Sequence, residues 1–209
     1  MKYSTALLSL AALVNFACSD GALTAKQAGD RIGELDEFKR EAHFTLRVDT
    51  PLQSAFKCFS EAEAANVPIN RFVVDRGWAR YERRDGNFGF GTTASCPAIG
   101  LTPSGEKASA GWRRERTGLG TLWAVPIGQR ELVTVTNLTR SSEGSTQAEF
   151  DWKWVPNETG SALRQSVPSA QTFFDATRKG RASCRRLDDG WRCQLGMWTT
   201  PADAGDALP

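Results

Sequence analysis

Histidine is all but missing: His43 is the one imidazole in 209 residues. Hydrolytic triads draw their general base from an imidazole, and a lone histidine that opens a strand among charged residues reads as structural. No two of the five cysteines lie two or three positions apart, so neither a CxxC redox pair nor a zinc ligand set can be assembled. Charge of one sign is also scarce: 26 basic against 24 acidic residues leave a formal +2, too little to imply a polyanionic partner such as nucleic acid. After residue 20 every apolar run is broken by charge within a few residues, far short of the roughly 20 that a membrane helix needs. The glycines of Phe88-Gly89-Phe90-Gly91 lack the lysine and the following helix signal of a phosphate loop. There is no internal repeat, and no cofactor or metal is expected.

What is present is an ordinary globular composition, 40% hydrophobic and 24% charged with 19 Gly and 9 Pro, in a length suited to one large domain or two small ones. The N-terminus is less ordinary. Lys2, an apolar run from Ala6 to Val14 and small residues around Cys18 form the three-part pattern of a secretory signal. The stretch Val14-Asn15-Phe16-Ala17-Cys18 resembles the lipobox of bacterial lipoproteins, with Asn15 where that family usually has Leu. The resemblance implies that Cys18 is lipidated and becomes the first residue, and Ser19 directly after it implies outer-membrane delivery. The alternative is an ordinary signal cut after Ala17 or Ser19, giving a secreted or soluble periplasmic chain.

Cysteine parity bears on this choice. With Cys18 carrying lipid, four cysteines remain, an even number that suits two disulfides in an exported chain. Cys184 and Cys193 flank the turn signal Asp188-Asp189-Gly190 symmetrically and read as a staple across a hairpin. Cys58 then pairs with Cys96 by elimination. Two Asn-x-Thr matches, at Asn137 and Asn157, matter only in a eukaryotic secretory path.

The remainder predicts an α+β fold. A capping box at Thr24 and Gln27 opens a helix of about fifteen residues with Ala28, Ile32, Leu35 and Phe38 on one face. His43–Val48 alternates as a strand. Pro51–Val67 carries a second helix with Ala55, Phe56, Phe59 and Ala62 on one side, and Arg71–Arg83 reads as a strand that turns at Asp85-Gly86-Asn87. Leu101–Ala108 is a short strand running into a helical turn. Glu131–Thr139 and Thr146–Trp154 form the clearest hairpin, with Ala148, Phe150, Trp152 and Trp154 on a core face. Gly160–Ser169 gives no assignment, and Arg178–Leu187 with Trp191–Trp198 makes the stapled hairpin. The expected organisation is a signal peptide at 1–17, a tether at 18–22, a helix-plus-hairpin subdomain at 23–116, an antiparallel β-rich subdomain at 117–199 and a disordered tail at 200–209.

Gly77–Arg84, Asp85–Asn87 and the Leu101-Thr102-Pro103-Ser104-Gly105 stretch, following helix signals, resemble the wing and terminal helix of winged-helix domains over about 85 residues from Leu23. A strand between the helices and a Cys58–Cys96 disulfide depart from that pattern. Winged helices usually bind DNA, but export removes that ligand, and fold alone does not give function.

Carboxylate-only catalysis needs paired acids. The candidates, Asp75 and the Asp188-Asp189 pair, sit on a strand's solvent side and in a turn, where solvated charge is their expected role. Basic residues cluster at Arg113, Arg114 and Arg116, and again at Arg178, Lys179, Arg181, Arg185, Arg186 and Arg192, the latter a candidate contact surface for anionic lipid, cell-wall polymer or an acidic envelope protein. The function the sequence favours is a lipid-anchored envelope protein on the periplasmic side of the outer membrane, acting as a non-catalytic binding or assembly module. A carboxylate-dependent hydrolase of envelope glycans is the alternative, and a winged-helix nucleic-acid binder is a third reading. No small-molecule ligand follows from these residues.

Overall fold

A computed structural model describes residues 21–54, 57–88, 92–117, 120–141, 144–196 and 208. In chain order the helices are α1 (Ala25–Gly33), α2 (Glu61–Ala65), α3 (Pro68–Asp75), α4 (Pro103–Ala108), α5 (Glu158–Ser166) and α6 (Pro168–Asp175). The strands are β1 (Glu41–Val48), β2 (Ala79–Asn87), β3 (Thr93–Leu101), β4 (Arg113–Thr117), β5 (Gly120–Arg140), β6 (Ser145–Pro156), β7 (Arg178–Leu187) and β8 (Gly190–Leu195). The fold is α+β, with a six-stranded, curled antiparallel sheet ordered β1-β5-β6-β7-β8 and β4 added on β5.

The 21-residue β5 organises the sheet. Its first half holds β1 on one edge, from Thr121↔Val48 to Gln129↔Glu41, while the other edge pairs first with β4 and then with β6. Alternation decides which face is buried: Phe44 and Leu46 of β1, Val125 and Ile127 of β5, and Ala148, Phe150, Trp152 and Trp154 of β6 are all 0–1% exposed. That face is covered by Ile32 of α1, by Phe38, and by Leu163, Ala170, Phe173 and Phe174 of α5 and α6. Trp154 and Phe173 stack with ring centroids 5.8 Å apart. Helix α5 lies so close to β5 that a Cβ at Gly160 would stand 1.9 Å from the Ile127 carbonyl oxygen, so only glycine fits there.

Beside this sheet, β2 and β3 form a separate hairpin, docked on the end of β1 through Asp49 N–H to the Ile99 carbonyl (2.8 Å) and Leu52 N–H to the Pro97 carbonyl (2.7 Å). The order α1-β1-α2-α3-β2-β3 is that of a winged helix, but β1 pairs along its length with β5 and not with the β2–β3 hairpin, so the winged-helix arrangement is not supported. One core joins residues on both sides of position 116, and that division falls inside β4.

Several local expectations change. The capping box at Thr24 and Gln27 is present, but α1 stops after nine residues and Phe38 reaches the core from a following turn. Residues 51–54 and 57–59 are not helical: Pro51 bridges to Ala98 and Gln53 to Cys58, and α2 starts only at Glu61, capped by Ser60, while Ala55 and Phe56 of the expected apolar side lie outside the described residues. Arg71–Asp75 belongs to α3, opened by Pro68 at its first position, where a missing N–H is harmless. Strand β2 continues through Asp85-Gly86-Asn87 instead of turning there. Residues 113–117 are strand β4, and the unassigned stretch after Gly160 is helical, α5 being capped by the Asn157 side chain. In the stretch read as a tail, Leu208 is buried and its N–H donates to the His43 carbonyl at 2.9 Å.

Candidate functional site

The four paired cysteines form two disulfides, Cys58–Cys96 with Cα atoms 5.1 Å apart and Cys184–Cys193 at 4.0 Å. Two such bonds are the pattern of an oxidising, exported compartment. No described helix is long and apolar enough to cross a membrane. Cys18 and the signal-like segment lie outside the described residues, as does the stretch 197–207.

The basic set on β7 and β8 divides by strand parity. Arg178 leaves the contact surface: it is 8% exposed, its guanidinium donates to the carbonyls of Phe173 (3.0 Å) and Ala176 (3.2 Å), and it lies over the rings of Phe173 and Trp152. It shares the buried side of β7 with Ala182 and Cys184. Arg130, which the sequence did not single out, takes the matching place on β5, donating to the Glu37 carbonyl at 2.8 Å and lying 4.9 and 5.0 Å from the ring centres of Trp152 and Trp154. These two cations serve the core. On the exposed side of the sheet Arg181 pairs with Glu149 at 3.0 Å, and Lys179 is exposed. Arg192 pairs with Asp189 and, mainly through that hydrogen bond, holds the Asp189 carboxyl below its usual range.

Arg186 has a different setting. Arg140 stands opposite Thr146, Thr146 opposite Cys184, and Arg186 opposite Trp191, so the row across β5, β6, β7 and β8 puts Arg140, Arg186 and Trp191 on one face at one end of the sheet. There they line a hollow of about 230 Å³ with Gly21, Ala22 and Thr146. The first described residue is anchored in its wall: the Trp191 indole Nε1–H donates to the Gly21 carbonyl at 3.2 Å. Gly21 has φ +35° and lies under the Arg186 guanidinium, where a Cβ would overlap Nη1 at 1.3 Å. Neither Arg140 nor Arg186 has a carboxylate partner among the described residues, and both are exposed. Arg185 is also exposed but shares the opposite face with Ser145 and Arg192.

A larger cleft, about 650 Å³, is lined by Lys39, Arg40, Glu41, His43, Gly111 and Arg113, with Ala124 and Pro126. Glu41 is the one carboxylate among its described lining residues, which therefore present no facing acid pair of the kind that glycan hydrolysis without histidine requires. Asp75 is engaged with Arg71 on α3, and Asp189 with Arg192 in the β7–β8 turn. Among the described residues no cluster of three or more His, Cys, Asp or Glu is placed to hold a metal ion.

No protein-family model, curated protein or solved structure matches this chain. Its function therefore rests on the geometry of its own residues. The disulfide at Cys184–Cys193 already fixes Arg186 opposite Trp191. Arg140 joins them through the β5–β6 hairpin and then the β6–β7 pairing of Thr146 with Cys184, and for that second step the sequence carries no local signal.

Proposed function

We propose that this chain is a lipid-tethered envelope protein that works as a non-catalytic binding or assembly module on the periplasmic side of the outer membrane. The observation that carries the reading is the anchoring of Gly21. Gly21 is the third residue after Cys18, and an extended chain spans at most about 3.6 Å per residue, so the Cys18 backbone lies within about 11 Å of Gly21 in the wall of the Arg140–Arg186 hollow. Two disulfides and a lipobox-like stretch support the same compartment. The mixed charge of the larger cleft, with Glu41 the one carboxylate among its described lining residues, favours recognition over hydrolysis.

The tether has a direct test. Cells expressing the chain and fed radiolabelled palmitate should label the wild-type protein, and Cys18→Ala should abolish the label. Label absent from the wild type, or retained after Cys18→Ala, would overturn the tether.

A further inference from the structure

We propose that the hollow between Arg140 and Arg186 receives the phosphate of an anionic phospholipid head group, so that the end of the sheet carrying the β5–β6 and β7–β8 turns lies on the bilayer. This deepens the tethered reading and rests on it for the choice of lipid as the occupant.

The chemistry matches the lining. Two guanidinium groups without a carboxylate partner among the described residues converge on one small concavity. Guanidinium binds phosphate in a bidentate fork and is more weakly hydrated than an ammonium group. Both side chains extend from strand ends whose partners are fixed by ladder pairing, Arg186 next but one to a disulfide, so the cations are held near each other before a ligand arrives. Trp191 completes the wall with an apolar ring whose N–H is already used on Gly21. An indole with one apolar face and a satisfied polar edge is the side chain that collects at head-group depth.

Reach decides between a membrane and a more distant polymer. A tether of about 11 Å from Cys18 to Gly21 is comparable with the Debye length of about 8–10 Å at physiological salt. The body therefore cannot stand clear of an anionic surface, and the part it turns towards that surface is the part where its chain enters. That part presents Arg140 and Arg186, with Arg185 on the other face of the same strand end.

The test uses the chain from Ser19 onward, which keeps every element from α1 to β8 and removes the lipid's own contribution. Co-sedimentation with vesicles is measured on phosphatidylcholine alone and on phosphatidylcholine mixed with phosphatidylglycerol. Binding is expected on the mixed vesicles only, weakening as salt rises. Arg140→Gln and Arg186→Gln should each reduce the partition coefficient about fivefold, the effect of one basic residue at an anionic surface. Arg80→Gln, an exposed arginine on β2, should leave it unchanged, with circular dichroism checking that each variant is folded. Failure to bind mixed vesicles, equal loss from Arg80→Gln, or binding of inorganic phosphate without vesicle binding would each overturn the proposal. Because this chain lacks Cys18, the vesicle result and the palmitate result can fail separately: label without vesicle binding sinks the hollow alone, and vesicle binding without label sinks the tether alone.

Discussion

Trp152→Ala is expected to lower the free energy of unfolding by about 3–5 kcal/mol, the range for emptying a large aromatic site in a close-packed core. The residue is 0% exposed and forms an edge-to-face pair with Trp154 at 5.2 Å. It also stands between two buried cations, Arg130 at 4.9 Å and Arg178 at 5.4 Å from its ring centre. Truncation removes apolar area, leaves a void, and withdraws a ring face from both guanidinium groups at once. A domain of this size has about 5–15 kcal/mol in all, so the variant should show a much lower urea midpoint and a poor soluble yield. Trp152→Phe keeps a ring for both cations and should lose less than half as much. A loss below about 1.5 kcal/mol for Trp152→Ala, the size of a volume-conserving change, would mean that the site is far less well packed than described.

The second large effect is expected from removing the Cys58–Cys96 disulfide. It closes a loop of sequence separation 38, for which the chain-entropy model gives about 4 kcal/mol, against about 3 kcal/mol for the short Cys184–Cys193 loop. Location widens the gap. Residues 51–54 and 57–59 meet β3 through the Pro51–Ala98 bridge and the Leu52 N–H to Pro97 carbonyl bond, with no strand ladder, so the disulfide is a major fastening for them. The other disulfide joins strands already paired from Ala182↔Leu195 to Leu187↔Gly190. The double variant Cys58→Ser/Cys96→Ser should therefore unfold at a lower urea concentration than Cys184→Ser/Cys193→Ser, and a reductant should lower the wild-type midpoint towards that of the first variant. The reverse order would show that β8, at the edge of the sheet, depends on its staple more than on its ladder.

Where the sequence was informative, one local pattern was enough. The alternation of Ala148, Phe150, Trp152 and Trp154 placed a core face on β6, the Thr24–Gln27 spacing capped α1, and the position of Gly190 between Cys184 and Cys193 gave a stapled turn. Misreadings arose where distant partners override local preference. Phe72, Val73 and Val74 are a β-favouring run, yet Pro68 starts a helix there and Phe72 packs edge-on against Phe44 and Trp78. Apolar spacing in 51–67 suggested a helix, but Leu52 N–H donates to the Pro97 carbonyl and Phe59 N–H to the Leu52 carbonyl, which claims its first part. Arg178 was grouped with its neighbours by charge, although the parity it shares with Gly180, Ala182 and Cys184 already assigned it to the buried side. The hollow was half legible: Arg186 and Trp191 follow from the staple, whereas Gly21 and Arg140 reach it through tertiary structure.

Strand order also imposes an order of events on the folding chain. From β5 to β8 each strand pairs with its successor in the sheet, and β7 meets β8 across a turn as tight as Leu187↔Gly190. Strand β1 instead finds its partner only when Val48 meets Thr121 and Glu41 meets Gln129. Closing that long loop carries an entropy penalty that local hairpins avoid. The meander can thus form as a nucleus on its own local contacts, and β1 docks onto a surface that already exists. In a chain emerging N-terminus first, β1 must wait, its alternating apolar face unpaired, until β5 is delivered. Cys96 emerges before β5 does, so Cys58–Cys96 can be oxidised in that interval and shorten the search.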